Sequence, residues 1–286
     1  MPDVPIIDAH VHLWDPARFR MPWLDDLPRL NQPYGLAEYD EATKGLPIEG
    51  MVYLQVDVTP AYALPEAAHA AELANQDPRI LGIVPFAPLE DGEIVRSFLN
   101  VLVAFGPTIK GVRRLTQGEP DPEFCLRPGF IEGVQLLAEY GLSCDLCCTY
   151  RQLEPTVELV RRCPQTSFIL DHIAKPNIRD GELSPWREQM AELAALPNVA
   201  CKISGIVTEA GHETWTREEI TPYALHALEV FGEDRVLFGS DWPVVTQAAT
   251  YRRWVETLDD LTRDLSPAAK RKLWADNARR VYRLQP

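Results

Sequence analysis

Short runs of β-branched and other apolar residues recur along the whole chain, at Pro5–His12, Gly50–Val58, Ile80–Ala87, Ile109–Leu115, Leu142–Thr149, Ser167–His172, Asn198–Ser204 and Arg235–Asp241. Longer segments with the apolar spacing of helices separate them. Leu64–Gln76 is one: its alanines favour helix, and Asp77-Pro78 ends it just before the third run. Pro164 and Pro197 punctuate the chain in the same way before the sixth and seventh runs. Near-continuous apolar strands alternating with helices require a parallel sheet covered on its outer face. Eight such units in 286 residues predict an α/β fold, a single-domain (β/α)8 barrel over residues 1–286, with an open doubly wound sheet as the competing arrangement.

Two segments fall outside the repeat. Trp14–Thr43 is too long for an ordinary strand-to-helix link and is rich in proline and aromatic residues, so it is expected to wall a pocket at the C-terminal face of the barrel. Lys270–Leu284, with Leu273, Trp274, Val281 and Tyr282, predicts a closing helix over the barrel bottom or side.

A net charge of −14 opposes contact with nucleic acid or an anionic membrane surface. No apolar run approaches the ~20 residues of a membrane span, and Met1-Pro2-Asp3 opens no export signal, so a cytoplasmic protein is expected. The six cysteines then read as reduced thiols, Cys144 and Cys147 included, since Cys144-Asp145-Leu146-Cys147 lies in a strand pattern and not at a redox turn.

The polar residues that matter close the apolar runs. His10 and His12 share a face of the first strand, His172 ends the sixth, and Asp241 ends the eighth. A barrel brings these distant ends into one small volume. His69 and His226 in helical patterns and His212 in a polar loop have no such placement.

The order Asp8-Ala9-His10-Val11-His12, then Asp171-His172, then Gly239-Ser240-Asp241-Trp242-Pro243 resembles the amidohydrolase superfamily. With the strings at His10–Asp15, Met21–Leu24, Lys110–Arg114 and Phe238–Pro243, it resembles more closely the sugar-lactonase subgroup, which includes fuconolactonase- and rhamnonolactonase-like enzymes. The likeness covers essentially the whole chain. It implies that Asp241 is the general base for water, that His172 orients or polarises the reacting centre, that His10 and His12 bind metal or substrate, and that Arg113 contacts substrate. Strand four presents Arg113 and Arg114 where many members have a metal-bridging lysine or glutamate, and strand five has no histidine. That argues against a binuclear centre and leaves His10, His12 and Asp241 as ligands for one divalent ion, zinc by preference.

So reduced a site suits an activated cyclic ester better than an amide. Trp14, Trp23, Trp242, Gln55, Lys202 and Ser204 are expected on the pocket rim, a mixture suited to a polyhydroxylated ring. Few cations beyond Arg113, Arg114 and Lys202 close the strands, which favours a neutral aldono-1,4- or 1,5-lactone over a dicarboxylate. The alternatives are a metal-dependent decarboxylase of an aromatic or related acid on the same barrel, and a non-catalytic carbohydrate-binding protein. Oligomeric state is left open, a homo-oligomer included.

Overall fold

The computed structural model describes residues 1–285. The eight apolar runs form parallel strands β1 (Ile6–Val11), β2 (Ile48–Leu54), β3 (Ile80–Val84), β4 (Gly111–Arg113), β5 (Ser143–Leu146), β6 (Phe168–Leu170), β7 (Val199–Ile203) and β8 (Val236–Phe238). β1 to β3 pair in chain order, as do β4 to β8. Single parallel bridges close the ring, Ile83 with Ile109 between β3 and β4 and Val11 with Trp242 between β1 and β8. At the second seam Asp241 N–H donates to the His10 carbonyl at 3.0 Å and His12 N–H to the Trp242 carbonyl at 2.8 Å. The result is a (β/α)8 barrel.

A helix follows each strand on the outside: α1 (Leu36–Ala42), α2 (Ala63–Gln76), α3 (Val95–Ala104), α4 (Pro128–Leu136), α5 (Leu153–Arg162), α6 (Trp186–Ala194), α7 (Arg217–Phe231) and α8 (Tyr251–Leu261). α8 shows why such segments are helical: Tyr251, Trp254, Val255 and Leu258 bury one stripe, and Thr250 Oγ1 caps the start by accepting from Arg253 N–H at 3.1 Å. Among the described residues no helix is long and apolar enough to cross a membrane. All six cysteines are free thiols and buried.

Inside the barrel the lower layers are apolar, with Ile7, Ala9, Val52, Leu54, Val84, Ile169, Ala200 and Leu237 packed in one cluster. Ala275, Ala278, Tyr282 and Leu284 join it from below. The C-terminal segment therefore plugs the bottom. It is not one continuous helix as expected but α9 (Pro267–Arg271), a π-helical turn over Lys272–Asp276, and α10 (Asn277–Val281). Trp14–Thr43 also differs from a plain loop, since it contains a 3-10 turn at Pro22–Leu24 and α1. Six of the eight strands stop short of their expected C-terminal ends by more than one residue, β6 and β8 among them, where His172 and Asp241 leave the ladder at positive φ.

Candidate active site

Simple alternation along β1 would put Asp8, His10 and His12 on one face. The pairing with β2 instead runs from Asp8 opposite Met51 to Val11 opposite Tyr53, three steps against two, which is a β-bulge. Ile7 and Ala9 face the barrel interior, and the bulge turns His10 inward as well, directly above them. Asp8 points outward between barrel and helices. Its Oδ1 accepts from the His10 and Ser240 N–H groups at 3.1 and 2.8 Å, and its Oδ2 accepts from the Tyr251 hydroxyl at 2.9 Å. One buried carboxylate thus ties the bulge of β1 to the end of β8.

The expected quartet does come together. The Nε2 atoms of His10 and His12 are 3.2 Å apart, and Asp241 Oδ1 lies 3.4 Å from His12 Nε2, 3.6 Å from His10 Nε2 and 3.8 Å from His172 Nε2. Asp241 leaves β8 at a φ of 59°, which aims its carboxylate inward. Ligand atoms at ~2.0–2.2 Å from a tetrahedral ion stand about 3.3–3.6 Å apart, so His10, His12 and Asp241 fit three corners around one divalent ion. Their supports fit too. His12 Nδ1 donates to the Leu54 carbonyl at 2.9 Å, leaving its Nε2 lone pair toward the site, and His10 Nδ1 faces Asp171 Oδ1 at 3.3 Å. A second triad, His10, Asp171 and His172, is also close, but Lys202 and Arg113 already engage the Asp171 carboxylate.

Burial by itself would raise the Asp241 carboxyl, but His172, then His12 and His10, outweigh it and hold it far below the usual carboxylate range. Burial lowers all three imidazoles, His172 to about 4 and His10 well below its ordinary value. Near neutral pH the site is one ionised carboxylate among three neutral imidazoles.

Beneath it lies a buried ionic cluster that sequence reasoning missed. Lys202 Nζ is 2.7 Å from Asp145 Oδ2 and 2.9 Å from Asp171 Oδ1, Arg113 bonds the other Asp171 oxygen at 3.2 Å, and the Tyr282 hydroxyl donates to Asp145. Lys202 is fully buried. Its expected place on the rim is therefore corrected to the floor, where β7 points it at the two aspartates of β5 and the end of β6.

Above the quartet opens a cavity of ≈ 240 Å³, with His12, Arg113, His172 and Asp241 at its base and Trp23, Asp57, Gln117, Lys175 and Gln247 on its walls. Trp23 is positioned by its indole N–H, which donates to the Val56 carbonyl at 2.9 Å. Trp14 and Trp242 do not line this cavity. Trp14 packs edge-on behind Trp23 with centroids 5.4 Å apart, and Trp242 packs on Tyr34 and Tyr39 in the same aromatic wall. Gln55 is likewise corrected: its carbonyl accepts from Arg113 at 2.6 Å and its side chain holds the Asp57 N–H. Ser204 sits behind His172, its Oγ 2.9 Å from Nδ1. Arg113 reaches the cavity but commits one terminal nitrogen to Gln55 and the other to Asp171 and His10. Lys175 had no sequence signal, since it sits on a loop beyond the sixth apolar run, and Asp57 lies inside the run Gly50–Val58 but beyond the end of β2, where the sequence pattern does not single it out.

Comparison with known proteins agrees with this geometry. The amidohydrolase family profile matches residues 7–284. An L-fucono-1,5-lactonase of Burkholderia multivorans is 31% identical over 298 residues, covering 97% of this chain and 96% of that protein. An uncharacterised protein of Sinorhizobium fredii is 31% identical over 301 residues, covering 99% and 100%. A crystal structure of a Burkholderia multivorans amidohydrolase with zinc bound superposes with a TM-score of 0.89 at 29% identity, covering 99% of this chain and 100% of that one.

Proposed function

The chain belongs to the amidohydrolase family, and from that premise we propose that it opens a neutral sugar lactone, an aldono-1,4- or 1,5-lactone, by water attack with Asp241 as general base. The observation that carries this reading is the Asp241 carboxylate, kept ionised among neutral imidazoles at the base of a small, mixed polar and aromatic pocket. The family's lactonase members, including the L-fucono-1,5-lactonase from Burkholderia, support the reaction class.

The walls support a neutral polyol as substrate. Asp57 lines the cavity, and among the described residues no donor lies within hydrogen-bond distance of its carboxylate. Sugar hydroxyls would satisfy it. Gln117 and Gln247 add amide donors and acceptors, and Trp23 adds an apolar face.

In this mechanism a water between Asp241 and the acyl carbon forms the new C–O bond while Asp241 takes its proton. The ring C–O bond then breaks, and that proton passes to the departing ring oxygen. The mechanism takes the Ser204 hydroxyl, 2.9 Å from His172 Nδ1, as the donor of that pair, so that Nε2–H is a donor to the acyl oxygen. His10, His12 and Asp241 would hold one zinc or similar ion, which when bound polarises the acyl oxygen and acidifies water.

A proton-release assay over a panel of aldono-1,4- and 1,5-lactones, with and without chelator, tests the proposal. Opening of at least one neutral aldonolactone well above its spontaneous rate is expected. Failure on every lactone, together with decarboxylation of an aromatic acid, would replace it.

A further inference from the structure

The loop after β6 adopts a backbone that side chains disfavour. His172, Ile173, Ala174 and Lys175 follow one another at φ of 52°, 46°, 62° and 45°, a complete left-handed turn without a glycine. A β-branched residue in this region is a marked outlier, and such strain persists only where surroundings enforce it. Here they do. Ile173 and Ala174 are fully buried, the Trp186 indole donates to the Ile173 carbonyl at 2.7 Å, and the Lys175 N–H closes the turn on the His172 carbonyl at 2.8 Å. Residues three apart in so tight a turn eclipse one another, so the turn sends His172 and Lys175 to the same side, and both line the cavity.

Lys175 differs from the other cation of the pocket. Both terminal nitrogens of Arg113 are bonded to protein acceptors. The Lys175 ammonium has no hydrogen-bond partner among the described residues, and its ion-pair neighbour, Glu209 Oε1, stands at 3.8 Å. It is a cation delivered to the pocket with its donors free.

We propose that Lys175 is a substrate-binding residue whose ammonium takes the acyl oxygens as negative charge develops on them and then holds the carboxylate of the ring-opened product. This rests on the lactonase reading above. Hydrolysis converts a neutral lactone and water into a hydroxy acid that gives up a proton, so an anion appears in a cavity already lined by the Asp57 and Asp241 carboxylates. A free cation there stabilises the charge where it forms and contributes little to the neutral ground state.

The test compares wild type, K175M and K175R as full chains, with thermal midpoints read alongside. Binding of L-fuconate and D-gluconate is followed by tryptophan fluorescence, since Trp23 lines the cavity, and turnover is followed on L-fucono-1,5-lactone and D-glucono-1,5-lactone. K175M is expected to weaken aldonate binding at least tenfold and to lower kcat/KM by a factor of ten or more, with K175R recovering most of the binding. Wild-type binding of an aldonate that K175M matches within twofold overturns the proposal, as does the absence of aldonate binding to wild type, even if lactones are opened. Aldonate binding that depends on Lys175 in a protein that opens no lactone keeps the carboxylate site and removes the lactonase reading.

Discussion

Gly205 lies at a φ of 60° against the His172 imidazole, and a Cβ built on it would stand 2.5 Å from Nδ1. That atom is where Ser204 fixes the ring, so Gly205→Ala both strains the backbone and displaces His172. The expected result is a kcat/KM lowered about 10²-fold or more with the fold retained, checked by steady-state kinetics alongside circular dichroism. His10, His12, His172 and Asp241 were legible in the sequence because each closes an apolar run. Lys202 was legible as a strand residue but was assigned to the wrong depth. A lysine inside Val199–Ile203 and an aspartate inside Ser143–Leu146 are opposite charges on the two strands that flank β6. An unpaired buried charge is costly enough that each implies the other, and pairing them would have moved Lys202 from rim to floor.

At the scale of elements, the bulge of β1 decides which side chains meet. A period of two cannot reveal a bulge, so the sequence placed His10 and His12 correctly on a shared face but carried no sign that Asp8 faces the opposite way. Asp8→Ala leaves the buried N–H groups of His10 and Ser240 without their acceptor. Each such loss costs about 1–3 kcal/mol, so a destabilisation of about 2–6 kcal/mol is expected in urea unfolding. Asp8→Asn keeps an acceptor oxygen and should lose less. Equal losses for the two variants would show that the carboxylate does not act as this tie. The strand ends themselves were overextended for a related reason: His172 and Asp241 continue the polar closure of apolar runs, yet their positive φ values take them out of the ladder, and residue type alone does not announce that turn.

At the scale of the whole molecule, one buried carboxyl away from the site adds a pH dependence of its own. Glu66 of α2 is buried against β2, accepting from the Tyr53 hydroxyl at 2.9 Å and from Val56 N–H at 2.7 Å, while its Oε2 has no partner. Burial raises its pKa from 4.5 to about 7. A raised acid binds its proton more tightly in the folded state, so its contribution to stability is complete below about pH 4.5 and is lost as pH rises through 7. Glu66→Gln should therefore gain on wild type between pH 5 and 8, by at most about 3 kcal/mol, in urea midpoints; parallel curves would contradict the assignment. The barrel itself was legible because eight apolar runs alternate with helices, while the closing segment Lys270–Leu284 was legible only as covering the bottom or the side, since a segment that closes a barrel from below has the same apolar stripe as one that covers its side. What the assembled molecule does is tested most directly by Asp241→Asn on the lactone that wild type opens fastest, with turnover and ligand affinity measured on the same preparations. A fall in kcat of about 10³-fold or more, with affinity for the sugar ring kept within a few-fold, is the predicted result. Turnover within tenfold of wild type would contradict Asp241 as the base.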